Sequence, residues 1–180
     1  MNIFKSISAV LIMLTTVSGF AQSKEDQKIM NAAEKAKQKL IKTNAGIESY
    51  MDTAAGYVVF PNVGKGGFII GGASGNGVLY EDGVATGMAD LKKLNIGLQA
   101  GGQSIIEVIF FEDERALNEF KQENFTFAAE ASAVALKSGV AYDAKYKDGV
   151  AVFSLPKAGL MADASVGGQK FEYHPFEGAK

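Results

Sequence analysis

The sequence contains no cysteine, a single histidine and only 3 prolines among its 180 residues. Without cysteine, the chain cannot form disulfides, use a thiolate as nucleophile or hold zinc through sulfur ligands. Disorder is not expected either, because 47% of the residues are hydrophobic and can bury a substantial core. The length fits one domain plus a processed segment at one end.

An excess of charge of one sign is also missing. The chain has 18 basic and 20 acidic residues, which gives a formal net charge of −2. Such a balance produces little long-range attraction to nucleic acid, so we expect no nucleic-acid partner. Any basic surface must therefore be local.

Residues 1–21 have the three parts of a secretory signal peptide. Lys5 provides the positive charge, residues 7–17 are largely apolar, and Gly19-Phe20-Ala21 is a small-x-small cleavage site. The apolar stretch is shorter than the roughly 18–20 residues that span a bilayer, so cleavage before Gln22 is favoured over a retained membrane helix. We expect an exported protein, periplasmic or secreted, that could be peripheral to a membrane.

The mature chain is predicted to have a helical segment at 22–54, a β-rich domain at 55–176 and a tail at 177–180. Apolar residues recur at helical spacing within residues 23–43, and residues 47–53 could add a further helical turn. Residues 112–121 predict a short internal helix, whose acidic start (Glu112, Asp113, Glu114) suits the helix dipole.

Short apolar runs and glycine-rich turns predict strands from residue 56 onward. Asp82-Gly83 and Asp148-Gly149 each lie between β-forming residues, which is a strong hairpin signal. Separate strands are expected at 84–86 and 94–100, and residues 105–111, apolar on both faces, predict a central strand covered on each side. Within that strand, Glu107 is expected to have a structural partner.

The fold class predicted is α+β, with a mainly antiparallel, strongly coiled or barrel-like sheet, an N-terminal helix and one short internal helix. Two-residue turns favour antiparallel neighbours. The 21 glycines are expected to serve turns and close approach between strands.

Catalytic and cofactor-binding motifs fail on detail. The glycine-rich residues 64–77 place Ala73 where a phosphate-binding loop requires lysine. His174 has no second histidine or cysteine with which to build a metal site, and no serine lies in a G-x-S-x-G turn. We therefore expect no catalytic residue, cofactor or metal, with a hydrolase using Ser, Asp and His174 as the weakest of three alternatives.

The N-terminal helix is basic, because residues 24–42 hold six lysines against Glu25, Asp26 and Glu34. A basic side next to an apolar stripe is typical of a helix at a membrane surface. The same pattern also fits a helix that packs its apolar stripe on the sheet and leaves its lysines in solvent. The sequence leaves both alternatives open.

Several ordered blocks between residues 55 and 171 resemble the SYLF family of lipid-binding domains, also described as actin-binding in fungal members. They are residues 56–61 (GYVVFP), 65–68 (KGGF), 75–79 (GNGVL), 96–103 (IGLQAGGQ) and 154–162 (SLPKAGLMA). The last block is similar to the family's Ser-x-x-Gly-Leu-x-Ala segment.

The resemblance implies phospholipid binding without catalysis, with Lys65 at a family lysine position and the basic helix where the family has a membrane-associated helix. We expect anionic contacts from Lys28, Lys35, Lys39, Lys42 and Lys65, and apolar residues that insert. Export makes actin an improbable partner and an anionic envelope lipid the expected one. The alternative is an envelope protein that binds a small apolar ligand or a protein partner. The oligomeric state is not predicted.

Overall fold

The computed structural model describes residues 23–64, 72–94, 104–122, 126–128, 133–135, 145–157 and 168–177. The predicted signal peptide, Lys65 and residues 95–100 of a predicted strand lie outside these ranges. The helices are α1 (Lys24–Thr43), α2 (Gly46–Thr53) and α3 (Glu114–Lys121). The strands are β1 (Gly56–Val63), β2 (Gly72–Glu81), β3 (Val84–Leu94), β4 (Ile105–Phe111), β5 (Thr126–Ala128), β6 (Ala133–Ala135), β7 (Val150–Pro156) and β8 (Gly168–Pro175).

The predicted N-terminal helix is confirmed with clear end signals. The Ser23 side chain accepts a hydrogen bond from the Asp26 N–H at 3.0 Å, as an N-cap should. At the other end, the Asn44 N–H donates to the Leu40 carbonyl, and the Asn44 Oδ1 accepts from the Gly46 N–H at 3.0 Å. This second bond turns the chain directly into α2.

Helix α2 forms where the sequence indicated only a further helical turn. Residues 46–53 make an eight-residue helix whose Ile47 is buried. The Tyr50 ring packs on Phe110 and Phe153 with centroids 5.4 and 5.0 Å away. Contacts with distant strands therefore stabilise a helix too short to form by itself.

The strands form one sheet in the order β5-β8-β3-β2-β1-β4-β7-β6. The six longer strands pair antiparallel, and only the short β6 runs parallel to its neighbour β7. Within the described ranges the sheet has two free ends and is not closed. The predicted α+β class with a mainly antiparallel sheet is confirmed.

The sheet is strongly coiled. The rings of Phe60 in β1 and Phe171 in β8 have centroids 6.0 Å apart although β2 and β3 lie between their strands. In a flat sheet, three strand spacings would separate them by about 14 Å. Gly77 permits part of this approach, because a Cβ there would lie 2.6 Å from the Phe60 ring and 2.7 Å from the Val59 carbonyl oxygen.

Both predicted Asp-Gly turns are present, the first between strands β2 and β3 and the second within the isolated Lys147–Val150 bridge that precedes β7. Asp82 and Gly83 have φ values of 50° and 76°, and Asp148 and Gly149 have 52° and 78°. Positive φ at both central residues is the geometry that matches the twist of antiparallel strands. Strand β3, in contrast, is one continuous strand through Leu94, whereas the sequence predicted a short strand at 84–86 and another beginning at 94.

The two faces of the sheet have separate cores. On one face, α1 and α2 cover a cluster that includes Tyr57, Tyr80, Phe110 and Phe153. On the other, concave face, α3 covers a cluster that includes Phe60, Phe111 and Phe171. Strand β4 is buried on both faces, as predicted for a central strand. No helix among the described residues combines the length and apolar character needed to cross a membrane.

Candidate binding surface

Helix α1 packs on the sheet through small side chains. Ala33, Ala36 and Leu40 are buried against the core beneath the helix, and Ile29 and Met30 are partly buried there. Alanine lets the helix axis approach the strands closely, so this side of α1 is used inside the protein. The structure therefore selects the packed alternative for the helix over the inserted one.

At one edge of α1, the contacts of Lys37 fix how the helix is rotated about its own axis. Its Nζ lies 4.2 Å from the centroid of the Tyr80 ring and 5.7 Å from that of Tyr57, and the two rings stack. The Glu34 carboxylate pairs with the same ammonium at 3.2 Å. Burial raises the pKa of Tyr80 above its usual value, and a hydrogen bond to Glu34 raises it further, so this phenol stays neutral.

The four predicted lysines of α1 lie on the opposite edge. Lys28, Lys35, Lys39 and Lys42 are all exposed, and a helix that turns about 100° per residue places them within about 60° of arc. We call these four residues the lysine stripe. Lys37 is about half a turn away from it, which explains why this one lysine contacts the sheet.

Among the residues that the structure describes, no acidic side chain neutralises the lysine stripe. Lys37, Lys92, Lys121 and Lys170 each pair with a glutamate. In the part of the chain that the structure describes, no carboxylate lies within ion-pair distance of a stripe lysine. The stripe is thus available to an anionic partner.

A further lysine, which sequence reasoning missed, stands beside the stripe. Lys157 follows β7, and its Nζ donates to the Asn62 Oδ1 of β1 at 3.1 Å. Its backbone N–H donates to the Ser104 carbonyl. Burial lowers the pKa of Lys157, and the nearby charge of Lys39 lowers it further. We call Lys39, Asn62 and Lys157 the basic end of the sheet, where β1 and β7 finish.

The other end of the sheet has more acidic than basic side chains. Tyr57, next to the start of β1, pairs with Tyr80, next to the β2–β3 turn, so these features share one end. The start of β7 pairs with the end of β4 at the same place. The acids of these turns and of the segment after β4 are Glu81, Asp82, Glu112, Asp113, Glu114 and Asp148. Asp113 caps α3 by accepting from the Ala116 N–H at 2.8 Å, in agreement with the predicted role of this acidic segment.

His174 lies in a cross-strand cluster of charged and polar side chains. Its Nε2 is 3.3 Å from Asp90 Oδ2, and Glu172 lies on the same side of β8. Lys92 and Lys170 pair with Glu172, and the Asn76 amide donates to Asp90 at 2.6 Å. These partners already balance the carboxylates, so we assign no metal to the cluster.

Glu107 is 1% exposed in β4, opposite Phe60 and Ser154.

Gln169 is an unusual polar residue of the concave face. It is 0% exposed, and neither polar atom of its side chain has a hydrogen-bond partner among the described residues. Strand alternation places it on the same face as Phe171. A buried amide without partners costs about 1–3 kcal/mol, so a group that hydrogen-bonds to Gln169 would stabilise this position.

Comparison with known proteins relates this domain to a family. Residues 92–175 match the model of the Ysc84 family, described as Las17-binding protein actin regulator. Beta cell expansion factor A of Aeromonas veronii is 30% identical over 146 residues, which cover 79% of this chain and 55% of the relative. The chain thus spans about half the length of that curated relative.

This match over residues 92–175 confirms the resemblance to the SYLF (Ysc84) family seen in the sequence. Domains of this family bind lipid or actin and are generally not enzymes. Lys157 lies inside the matched segment, whereas the lysine stripe precedes it.

The contrast between Lys37 and Lys35 gives a test of how α1 is seated. We expect Lys37→Gln to lower the free energy of unfolding by about 1 kcal/mol, because it removes a cation–π contact and a partly buried ion pair. Lys35→Gln, in the exposed stripe, should change it by less than about 0.5 kcal/mol. Urea denaturation measures both values, and equal effects would contradict the assigned rotation of the helix.

Proposed function

We propose that this protein is a non-catalytic phospholipid-binding protein of the cell envelope, which associates peripherally with anionic membrane surfaces. The observation that carries the proposal is the lysine stripe: four exposed ammonium groups on one edge of α1, without acidic partners among the described residues. Lys65, one residue beyond the bridge at Gly64, is proposed to add to the same surface.

The distribution of charge supports one orientation on a membrane. The charge of Lys39 in the stripe acts on Lys157 at the basic end of the sheet, while the acidic turns lie at the other end. An anionic surface attracts the first end and repels the second, so the protein approaches with the basic end forward. Each lysine near such a surface contributes on the order of 1 kcal/mol.

The proposed contact of α1 is electrostatic and does not use its apolar side. Ala33, Ala36 and Leu40 are buried on the sheet, so inserting them would require the helix to leave its core. Binding should therefore weaken as the salt concentration rises, because salt screens exposed charges.

We also propose that the protein is exported and that actin is not its partner. The support is the signal-peptide pattern of residues 1–21.

The protein recovered from the cell envelope or medium should begin at Gln22, which intact-mass spectrometry can determine. Recovery of protein that starts at Met1, from the cytoplasm alone, would contradict export.

A non-catalytic role is supported by the family and by the condition of the candidate residues. His174 is held by Asp90 beside two lysine–glutamate pairs. In the glycine-rich segment, residues 72–77 belong to the extended strand β2, which pairs along its length with β3 and does not open a helix.

Vesicle sedimentation tests the membrane proposal. The double variant Lys35→Gln/Lys42→Gln removes two charges from the stripe and should weaken binding to anionic vesicles about 30-fold, which corresponds to about 1 kcal/mol per lysine. Neutral vesicles should bind neither protein, and added salt should reduce binding of the wild type.

The matched control is Lys145→Gln/Lys147→Gln, which removes the same charge from exposed residues that precede β7 at the acidic end of the sheet. This control should bind anionic vesicles almost as tightly as the wild type. Equal loss in both double variants would mean that net charge, and not the stripe, governs association.

The second candidate function is binding of a small apolar ligand on the concave face. Gln169 favours such a ligand if it also has a polar group, because the buried amide has no partner among the described residues and lies on the same face as the apolar Phe171. A failure to sediment with either kind of vesicle would favour this alternative.

A further inference from the structure

The two ends of the sheet are tied together by a short piece of chain. Strands β5 and β6 stand at opposite ends of the sheet order, yet only residues 129–132 separate them in the sequence. Ala128 and Ala133 are therefore at most about 18 Å apart, because an extended chain covers roughly 3.3–3.6 Å per residue. In a flat sheet, the strand spacings between β5 and β6 would add up to about 34 Å. The sheet is thus curled far enough to surround its concave face, although β5 and β6 do not pair with each other in the described ranges.

The buried polar side chains of the sheet, apart from tyrosines, face this surrounded side. Among the described residues they are Glu107, Ser154 and Gln169. Each lies two positions along its strand from a member of the concave core, namely Ile109, Val152 and Phe171. Alternate residues of a strand share a face, so all three polar side chains belong to the concave face. Burying a polar group costs free energy unless the group is hydrogen-bonded.

Gln169 is the residue of this group whose amide is unsatisfied. Its Nε2 and its Oε1 are both buried, and neither has a hydrogen-bond partner among the described residues. The side chain thus has an unused donor and an unused acceptor. Phe120 of α3 packs on Phe171 and Tyr173, with ring centroids 5.5 and 6.3 Å away. Gln169 lies on the other side of Phe171 in β8, away from this contact with α3.

We infer that the concave face binds one uncharged amphiphile, a long-chain alcohol or primary amide, whose head hydrogen-bonds to Gln169. The hydrocarbon chain lies against Phe60 and Phe171, whose rings are 6.0 Å apart. This inference rests on the second candidate function, ligand binding on the concave face, and is independent of the membrane role.

The neutral amide of Gln169 determines the class of ligand. A head that both donates and accepts a hydrogen bond satisfies both of its polar atoms, as a hydroxyl or an amide does. A carboxylate or phosphate accepts without donating, an ammonium donates without accepting, and each would bury a charge next to an uncharged group. Because Gln169 is 0% exposed, uptake requires the sheet to open. The three-residue strands β5 and β6 are the shortest of the described sheet.

The test variant is Gln169→Met, which keeps the length of the side chain and removes its polar atoms. Gln38→Met is the matched control, since Gln38 is exposed on α1. Without ligand, Gln169→Met should unfold at the same urea concentration as the wild type or at a higher one, because an unsatisfied amide has been removed from a buried position. A lower urea midpoint would show that the amide has a structural partner, such as a buried water, and would overturn the inference.

The probes are 1-decanol and decyl methyl ether, which share one hydrocarbon chain but differ in the hydroxyl donor. They are titrated below their solubility limits into the full mature protein, and NMR follows the side-chain NH₂ signals. We expect decanol to shift the NH₂ signal of Gln169 and to bind the wild type about tenfold more tightly than the ether does, the effect of about one hydrogen bond. Gln169→Met should bind both probes equally, and Gln38→Met should keep the preference for the alcohol.

The outcomes separate the inference from the function on which it rests. If both probes bind the wild type and Gln169→Met equally and shift residues of the concave face, ligand binding there stands and the role of Gln169 is wrong. If neither probe binds, or if the shifts are confined to exposed residues of α1, ligand binding on the concave face is overturned as well. Gln169→Met should bind anionic vesicles as the wild type does, so the membrane role is tested separately.

Discussion

The close packing of α1 on the sheet is the contact on which the other features depend. Ala33 and Ala36 bring the helix near the strands, and Leu40 fills the core between them. Because a helix has a fixed angular repeat, burying this side determines where every other side chain points. Lys37 is turned onto the Tyr57 and Tyr80 rings, and the lysine stripe is turned to solvent. A different rotation of α1 would scatter these charges or bury them.

The coiled antiparallel sheet converts this local arrangement into a molecule with two unlike ends. Its hairpin turns place Asp82 and Asp148 at one end, and the ends of β1 and β7 place Asn62 and Lys157 at the other. The total charge of the chain, which is only −2, does not reveal this separation. The separation arises from strand direction. Under the proposed function, it would give the protein a preferred approach to an anionic surface although its net charge is negative.

Local signals in the sequence were sufficient for the elements that depend on neighbouring residues. The cap at Ser23, the alanine and leucine spacing of α1, both Asp-Gly turns and the central strand β4 were all predictable. The sequence predicts a shorter helical segment than α2, because the contacts that stabilise this helix are tertiary. Its Tyr50 packs on Phe110 and Phe153 of distant strands. The sequence predicts two strands in place of β3, because Gly87, Asp90 and Lys92 obscure the alternation of apolar and polar residues. The buried residues of this strand are Ala89 and Leu91. The position of Lys157 beside β1 depends on strand register, which no local pattern reveals. The same is true of the contact between His174 and Asp90, which are 84 residues apart in the sequence.

Amide hydrogen exchange of α1, with and without anionic vesicles, tests most directly whether the helix stays seated while its lysines contact the membrane. The amides around Ala33, Ala36 and Leu40 should remain equally protected in both conditions, because their side of the helix stays buried on the sheet. If vesicle binding lowers the amide protection of the adjacent strands β1 and β2 and also changes the amide protection of α1, the helix leaves the sheet and inserts. That result would contradict the account.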